Sequence, residues 1–543
     1  MNKQIFERNL LALSKNDPVL CNRLTMAVTT KNIYRFLESR SGETIPALME
    51  KDGSAHPLHS TVDPVREGER LVSTLSEEGY IVFLGLGGAF AAEAALKFGY
   101  TKKVLVVEYD CNGLAELLSS KDYCKLFQDQ RFSLLADPDP EILEKYIIDN
   151  YIPAVNGGIR VFPLRVRTDA DLRFNDAAEA VKNALDAVSR DYSVQAYFGK
   201  RWFSNIIRNL PLAQKQTSGI SPIRKAVICA AGPSLEEQIP HIKELKANKK
   251  KQTESFIIAT DTSLPVLLHS DVEPDAVVSI DCQNISYQHF FSILPKKTLL
   301  FLDLASPVLI ASQTKNRIFF SGGHPLSLYI CRLWRSLPVL DTSGANVTYT
   351  SLSLAENLGA KEYILFGNDF SYPLGKTYAR GTYIYAFFEK KQSRYASIES
   401  QHSEFLYRDL SLKKNISKKN KWCYETDSLN FYREKVFQKE KALHESKTGN
   451  LALFSSGPAR QSACSFLEQY KNSIKKLNSF DPLIYQEKNE TAELLVTLLP
   501  LAAFYRRINP LYNTKELFNS IKTFCLEELE KINHSLNRRL YCI

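Results

Sequence analysis

An apolar run, Ala226 to Cys229, breaks into Ala230-Ala231-Gly232-Pro233-Ser234-Leu235 and then into an acidic stretch, the order of a strand feeding a tight turn and a helix. Small residues ahead of a helix leave several backbone N–H groups unpaired near the positive end of its dipole, a place where a phosphate can be held. Gly232, Pro233 and Ser234 are therefore candidate donor-binding residues, and Ser234 with Glu237 has the spacing of a capping box. An ordinary strand-to-helix connection with a structural cap explains these residues equally well.

Three carboxylates recur where apolar runs end: Asp261 after Thr260, Asp281 ahead of Cys282-Gln283-Asn284, and Asp369 in Gly367-Asn368-Asp369. Such acids can bind ribose hydroxyls, anchor a cation, act as a general base, or cap the next helix. Asp281 and Asp369 stand in polar clusters with Asn284 and Asn368, more than a cap needs, and are the preferred ligand contacts. A second helix start, Ser343-Gly344-Ala345-Asn346, offers Gly344 and Asn346 as further donor-binding candidates, or as a plain helix entry. For a base, Asp281, Asp369, His289 and His324 are candidates, and Lys376 and Arg380 are cations able to face an acidic ligand.

These residues need a frame. Apolar runs at Ala226 to Cys229, Ser255 to Ala259, Ala276 to Ile280, Thr298 to Leu302, Arg317 to Phe320 and Tyr363 to Phe366 alternate with helical stretches, which predicts a parallel sheet covered on both faces. The polar residues then line the carboxyl edge, where such sheets bind ligands. Upstream, Tyr80 to Leu84, the turn Gly85-Leu86-Gly87-Gly88, a helix Ala89 to Phe98 and a strand Lys103 to Val107 ending in Glu108 form a Rossmann-like half. Glu108 sits about 20 positions after Gly85, where a ribose-binding acid of a dinucleotide or methyl-donor site would stand. Phe90 replaces the third glycine of that fingerprint, so nucleotide binding and packing are both open. A small hairpin is expected around Lys51-Asp52-Gly53-Ser54.

The 543 residues exceed one core, and three domains are expected: 1–215, 216–385 and a helical 386–543, with long helices over Glu493 to Phe504 and Lys515 to Leu536. No apolar stretch is long enough to cross a bilayer and the first eight residues lack a signal-peptide core, which makes the cytoplasm the expected location. Ten scattered cysteines without a C-x-x-C pair argue against a disulfide framework or a structural zinc site. The net charge of +9 gathers partly in Lys249-Lys250-Lys251 and in Lys413, Lys414, Lys418, Lys419 and Lys421, without any nucleic-acid-binding signature.

Ala231-Gly232-Pro233-Ser234-Leu235-Glu236-Glu237, Ala259-Thr260-Asp261, Pro274 to Asp281 and Gly367-Asn368-Asp369-Phe370-Ser371-Tyr372 resemble, in order and spacing, the central domain of the motility-associated (Maf) flagellin glycosyltransferases. Leu58 to Glu69 and Gly85-Leu86-Gly87 are similar to that family's N-terminal domain, so the resemblance covers roughly residues 55 to 385. It implies an α/β protein whose central domain resembles bacterial sialyltransferases, and an enzyme moving a nonulosonic, sialic-like acid from a CMP-activated donor to Ser or Thr of flagellin. A divalent cation is allowed but not required; neither nucleic acid nor membrane is an expected partner. The family's usual histidine after the Gly-x-Asp motif is missing, and Tyr378 occupies its place in Gly375 to Gly381, so the resemblance makes Tyr378 a further candidate for the base. The central domain also resembles hydroxymethylpterin diphosphokinases, so ATP-dependent pterin pyrophosphorylation is the alternative, with a non-catalytic sugar-nucleotide- or flagellin-binding protein a third.

Overall fold

A computed structural model describes residues 2–27, 33–50, 52–76, 78–164, 172–216, 220–247, 255–290, 294–416, 422–445, 456–480 and 489–540. Lys51 at the expected hairpin tip, the turn residues Thr217 to Gly219, Lys249 to Lys251, Lys418, Lys419, Lys421 and Cys542 lie outside these.

The chain divides into two compact units. The first comprises Met1–Gly199 with Asn478–Ile521. It contains an antiparallel sheet of β1 (Tyr34–Glu38), β2 (Thr44–Met49) and β3 (Ala55–Pro57), in which β2 and β3 form the expected hairpin with Gly53 at φ 85° in its turn. Beside it stands a parallel sheet of β4 (Glu78–Leu84), β5 (Lys103–Glu108), β6 (Phe132–Ala136) and β7 (Gly158–Pro163), ordered β6-β5-β4-β7. Alternation decides which face each residue serves. Ile81, Phe83, Val104 and Val106 enter one core, whereas Tyr80, Val82, Leu105 and Val107 face Ala177, Ala180, Val181 and Ala184 of the helix Leu172–Gln214.

The second unit comprises Lys200–Leu477 with Lys522–Ile543. Its six-stranded sheet is wholly parallel: β8 (Lys225–Cys229), β9 (Ser255–Thr260), β10 (Ala276–Ser279), β11 (Leu299–Asp303), β12 (Arg317–Phe320) and β13 (Glu362–Phe366), ordered β12-β11-β10-β9-β8-β13. Each strand expected from the sequence is present. Ile228, Ile258, Val278, Phe301 and Phe320 pack beneath Leu352 and Ala355 of the helix Val347–Asn357. From β8 the chain steps outward through β9 to β12 and then returns to place β13 on the other side of β8, so the topological switch falls between β8 and β13.

Composition suggests boundaries at 215/216 and 385/386, but the units part at Gly199 and Lys200, within the helix Leu172–Gln214, and the last third is shared between them. Packing accounts for this. Val436 and Leu443 are buried in the core over the six-stranded sheet, which ties their helix to the second unit. Residues 478–521 go with the first: the Gly199 Cα lies against the Pro500 carbonyl with no room for a Cβ, and Arg506 donates to the Ala154 carbonyl at 3.4 Å. The C-terminal region is mainly helical, as expected, with one departure. β14 (Tyr372–Pro373), β15 (Lys413–Ile416) and β16 (Trp422–Glu425) form a small antiparallel sheet in the order β14-β16-β15. The helix expected over Glu493 to Phe504 is split into Glu490–Val496 and Leu499–Ile508, because Pro500 lacks an N–H and fits only a first turn.

Candidate active site

The Gly232 turn and the Gly367-Asn368-Asp369 corner face each other at the switch point of the second unit. The Gly232 N–H donates to the Gly367 carbonyl at 2.8 Å, and the Ser234 N–H donates to Asp369 Oδ2 at 2.9 Å. A Cβ on Gly232 would strike that same carboxylate, so glycine is required there by the approach of a protein acid. Leu235 and Glu236 donate within the turn, to Gly232 and Pro233 carbonyls. This corrects the phosphate-cradle expectation for Gly232, Pro233 and Ser234. The amides expected to be open are engaged, and Asp369 supplies the anion that the helix N-terminus favours.

Asp261, Asp281, Tyr378 and Tyr383 do come together. Asp261 is buried at the end of β9, accepting from the Thr262 N–H at 2.7 Å and the Ser279 hydroxyl at 2.7 Å. Asp281, half-buried two residues beyond β10, accepts the Gln283 N–H at 2.9 Å, while Asn284 is exposed on the next turn. Burial pushes the Tyr378 phenol well above its ordinary range, and Tyr383, Tyr372 and Asp261 add to the effect. Tyr383 is raised by burial and then by Asp281 and Asp261. Tyr378 therefore stays protonated near neutral pH and is a hydrogen-bond donor; the reading of it as the base is corrected.

Several buried polar atoms around this cluster have no hydrogen-bond partner among the described residues: Asn368 Oδ1, Thr382 Oγ1, His289 Nδ1 and Ser286 Oγ. Buried polar atoms are normally satisfied, and a group of them at a strand edge marks a place where ligand or solvent supplies the bonds. The His289 ring lies edge-on to Tyr383 at 4.6 Å between centroids. His324 is a helix cap: its Nδ1 accepts from the Leu326 N–H at 3.1 Å, and burial drives its pKa down to about 3.

Gly344 and Asn346 are accounted for by packing and capping. The Tyr349 ring occupies the space a Gly344 side chain would need, and Asn346 caps the helix Val347–Asn357 by accepting the Tyr349 N–H at 2.9 Å. Lys376, considered as a counter-ion for an acidic donor, pairs with Glu236 at 3.0 Å. Glu236 also accepts the Arg380 N–H at 2.7 Å, and Ala379 donates to the Ala231 carbonyl, so the loop bearing Tyr378 is anchored on the Gly232 turn. In the first unit Glu108 is fully buried and spent on the backbone, accepting the Leu86 N–H at 2.8 Å and the Tyr109 N–H at 3.0 Å.

Sequence reasoning missed three features. Asp303 closes β11 at the same edge; it is buried, with its pKa raised by that burial to about 6, and the apolar run predicted for this strand stopped one residue short of it. Tyr383 stands among Tyr372, Tyr378 and Tyr385, and nothing in the sequence singles it out. His402, whose Nδ1 lies 2.9 Å from the Thr377 hydroxyl and whose Nε2 is buried without a partner among the described residues, comes from a helix 25 residues further on. It lines a cleft of about 770 Å3 together with Arg380, Tyr385, Trp422 and Tyr424. Among the described residues no three His, Cys, Asp or Glu side chains are grouped closely enough to hold a metal ion, and no helix is long and apolar enough to cross a membrane.

The chain thus combines a Rossmann-like unit, a six-stranded parallel sheet with carboxylates at its carboxyl edge, and a largely helical C-terminal region. The chain is similar along 99% of its length, and 96% of the other's, to the MAf glycosyltransferase from Magnetospirillum magneticum AMB-1, with a TM-score of 0.62 and 14% identity. Residues 200–375 match the family described as MptE-like, 6-hydroxymethylpterin diphosphokinase MptE-like. The chain thus carries the Maf fold with an MptE-like segment inside it. Among curated proteins it resembles uncharacterized proteins of Treponema pallidum (strain Nichols). One is 38% identical over 124 residues, 22% of this chain and 44% of the relative, so the chain spans less than half of it. Another is 33% identical over 149 residues, 27% of this chain and 68% of the relative, and the chain belongs to the same family as that protein.

Proposed function

We propose that the chain is a glycosyltransferase that moves a nonulosonic acid from its CMP-activated form to a serine or threonine hydroxyl of flagellin. The observation that carries this reading is the meeting of Asp261, Asp281, Tyr378 and Tyr383 at one strand edge, in a chain with the Maf fold. Transfer breaks the bond between the anomeric carbon and the phosphate oxygen and forms one to the acceptor oxygen. CMP leaves with the bonding pair, and the hydroxyl proton passes to a base.

Asp281 is that base: it is half-exposed, and its Oδ1 accepts only a short local N–H bond among the contacts described, which leaves lone pairs for a hydroxyl. Protonated Tyr378 and Tyr383 donate toward the leaving phosphate or the sugar carboxylate, Asn368 takes nucleoside hydroxyls or amino groups, and the buried Asp261, engaged by Thr262 and Ser279, supplies negative charge behind the site. The cleft lined by Tyr385, His402, Trp422 and Tyr424 receives the acceptor segment, since it shares the loop that carries Tyr378. Incubation of the full chain with a CMP-nonulosonate and flagellin, followed by intact mass, tests this reading. A gain of one sugar residue per acceptor and release of CMP is expected; unchanged flagellin and no CMP would overturn it.

The MptE-like match favours a second reading, pyrophosphoryl transfer from ATP to a pterin alcohol. Release of AMP on adding magnesium ATP and the pterin would decide for it.

A further inference from the structure

Both parallel sheets turn back at the same kind of place. In the first unit β4, β5 and β6 step away in one direction and β7 returns on the other side of β4, so the crevice beyond the carboxyl ends of β4 and β7 is a topological switch point, where open α/β sheets take ligands. In the second unit that point is filled by the Asp369 carboxylate. In the first it holds a cleft of about 650 Å3, a volume typical of small-molecule sites.

The cleft has an apolar floor and a charged wall, on which Arg66 and Arg70 stand with Asp63 and Glu67. Phe83 and Phe162, from the ends of β4 and β7, stack at 5.5 Å between centroids with an interplanar angle of 20°, and Leu164 lies beside them. The wall is the helix Pro64–Val72, held close because a Cβ on Gly68 would lie 2.7 Å from the Phe90 carbonyl oxygen. Arg66 and Arg70 stand one turn apart along it and line the cleft. Neither guanidinium has an ion-pair or hydrogen-bond partner among the described residues. Of the acids here, Asp63 accepts the Arg66 N–H at 3.0 Å and Glu67 the Ser60 N–H at 2.7 Å, while Glu69 is exposed and does not line the cleft. The neighbouring glycine turn offers no rival site, since the Gly88 N–H is taken by His59 Nε2 at 2.7 Å and Glu108 is occupied.

We propose that this cleft binds a phosphorylated small molecule of mononucleotide or sugar-phosphate size, with Arg66 and Arg70 on the phosphate and the ring on the Phe83, Phe162 and Leu164 floor. A phosphate presents three terminal oxygens, enough for two guanidinium forks, and a flat ring suits the aromatic floor. The site is built from residues of the first unit alone and does not depend on the reaction proposed for the second.

Hydrogen–deuterium exchange of the full chain with AMP, CMP, glucose 6-phosphate and inorganic phosphate tests it. At least one of the three organophosphates should slow exchange severalfold in residues 58–74 and 158–164, and which one does so separates a nucleotide from a sugar phosphate. The double substitution Arg66→Ala with Arg70→Ala should weaken that protection at least tenfold in ligand concentration. Thr74→Trp, which fills the mouth from an exposed position and keeps both arginines, should do the same. No protection by any organophosphate, protection unchanged in both variants, or equal protection by inorganic phosphate would overturn the proposal.

Discussion

The Asp369 carboxylate accepts the Ser234 amide at 2.9 Å, so the helix start expected to hold a ligand's phosphate is closed by an acid of the protein itself. The contact joins the ends of β8 and β13, neighbours in space but more than a hundred residues apart in sequence. It makes Gly232 a packing requirement. Gly232→Ala should destabilise the second unit by roughly 2–4 kcal/mol, because the new methyl meets the Asp369 carboxylate, which is held by the Ser234 amide, and the Gly367 backbone carbonyl, which cannot swing away. Asp369→Ala should cost about 1–2 kcal/mol through the lost charged cap. Urea unfolding measures both.

Asp281 carries the proposed chemistry and little of the fold. Asn at this position still offers an oxygen to the Gln283 N–H, so Asp281→Asn should leave stability within about 0.5 kcal/mol while turnover of a CMP-activated sugar falls by about 100-fold or more. Steady-state CMP release with a parallel melting curve separates the two effects. Full activity in this variant would remove Asp281 as the base.

Asp303 should give stability an unusual pH dependence. Burial raises its folded-state pKa to about 6 from an ordinary 3.8, so the folded state binds the proton more tightly than the unfolded chain. Its contribution is therefore most favourable below about pH 4 and declines as pH rises through 6, by up to about 3 kcal/mol. Asp303→Asn, which keeps an acceptor for the Ala305 N–H, should gain on the parent protein between pH 4 and 7 in denaturant titrations.

His324 acts with the opposite sign. Its folded pKa of about 3 lies below an ordinary 6.5, so its stabilising neutral form is fully present above pH 6.5 and stability is lost as pH falls toward 3. His324→Asn retains a helix cap and removes the titration, so the variant should lose less stability than the parent protein between pH 6.5 and 4. An equal loss in both proteins would deny His324 this part.

The strands of the second unit were legible because buried parallel strands are continuous apolar runs, and Val227-Ile228 or Leu300-Phe301-Leu302 leave little choice. The edge carboxylates followed from where those runs stop. What sequence order could not supply was the pairing of β8 with β13, and hence that Asp369 would answer the Ser234 amide internally. The same limit hid His402, which reaches the Thr377 hydroxyl across 25 residues, and the role of Glu108, whose position matches a ribose acid but whose oxygens serve backbone amides. The strand pair of Lys413–Ile416 and Trp422–Glu425 escaped notice because its lysines read as a solvated run.

The most direct test is a structure of the full chain with CMP bound. The account predicts nucleotide over the carboxyl ends of β9, β10 and β13, touching Asp281 and Asn368 with its phosphate toward Tyr378 or Tyr383. Nucleotide found nowhere in the second unit, or seated away from Asp261 and Asp281, would contradict it.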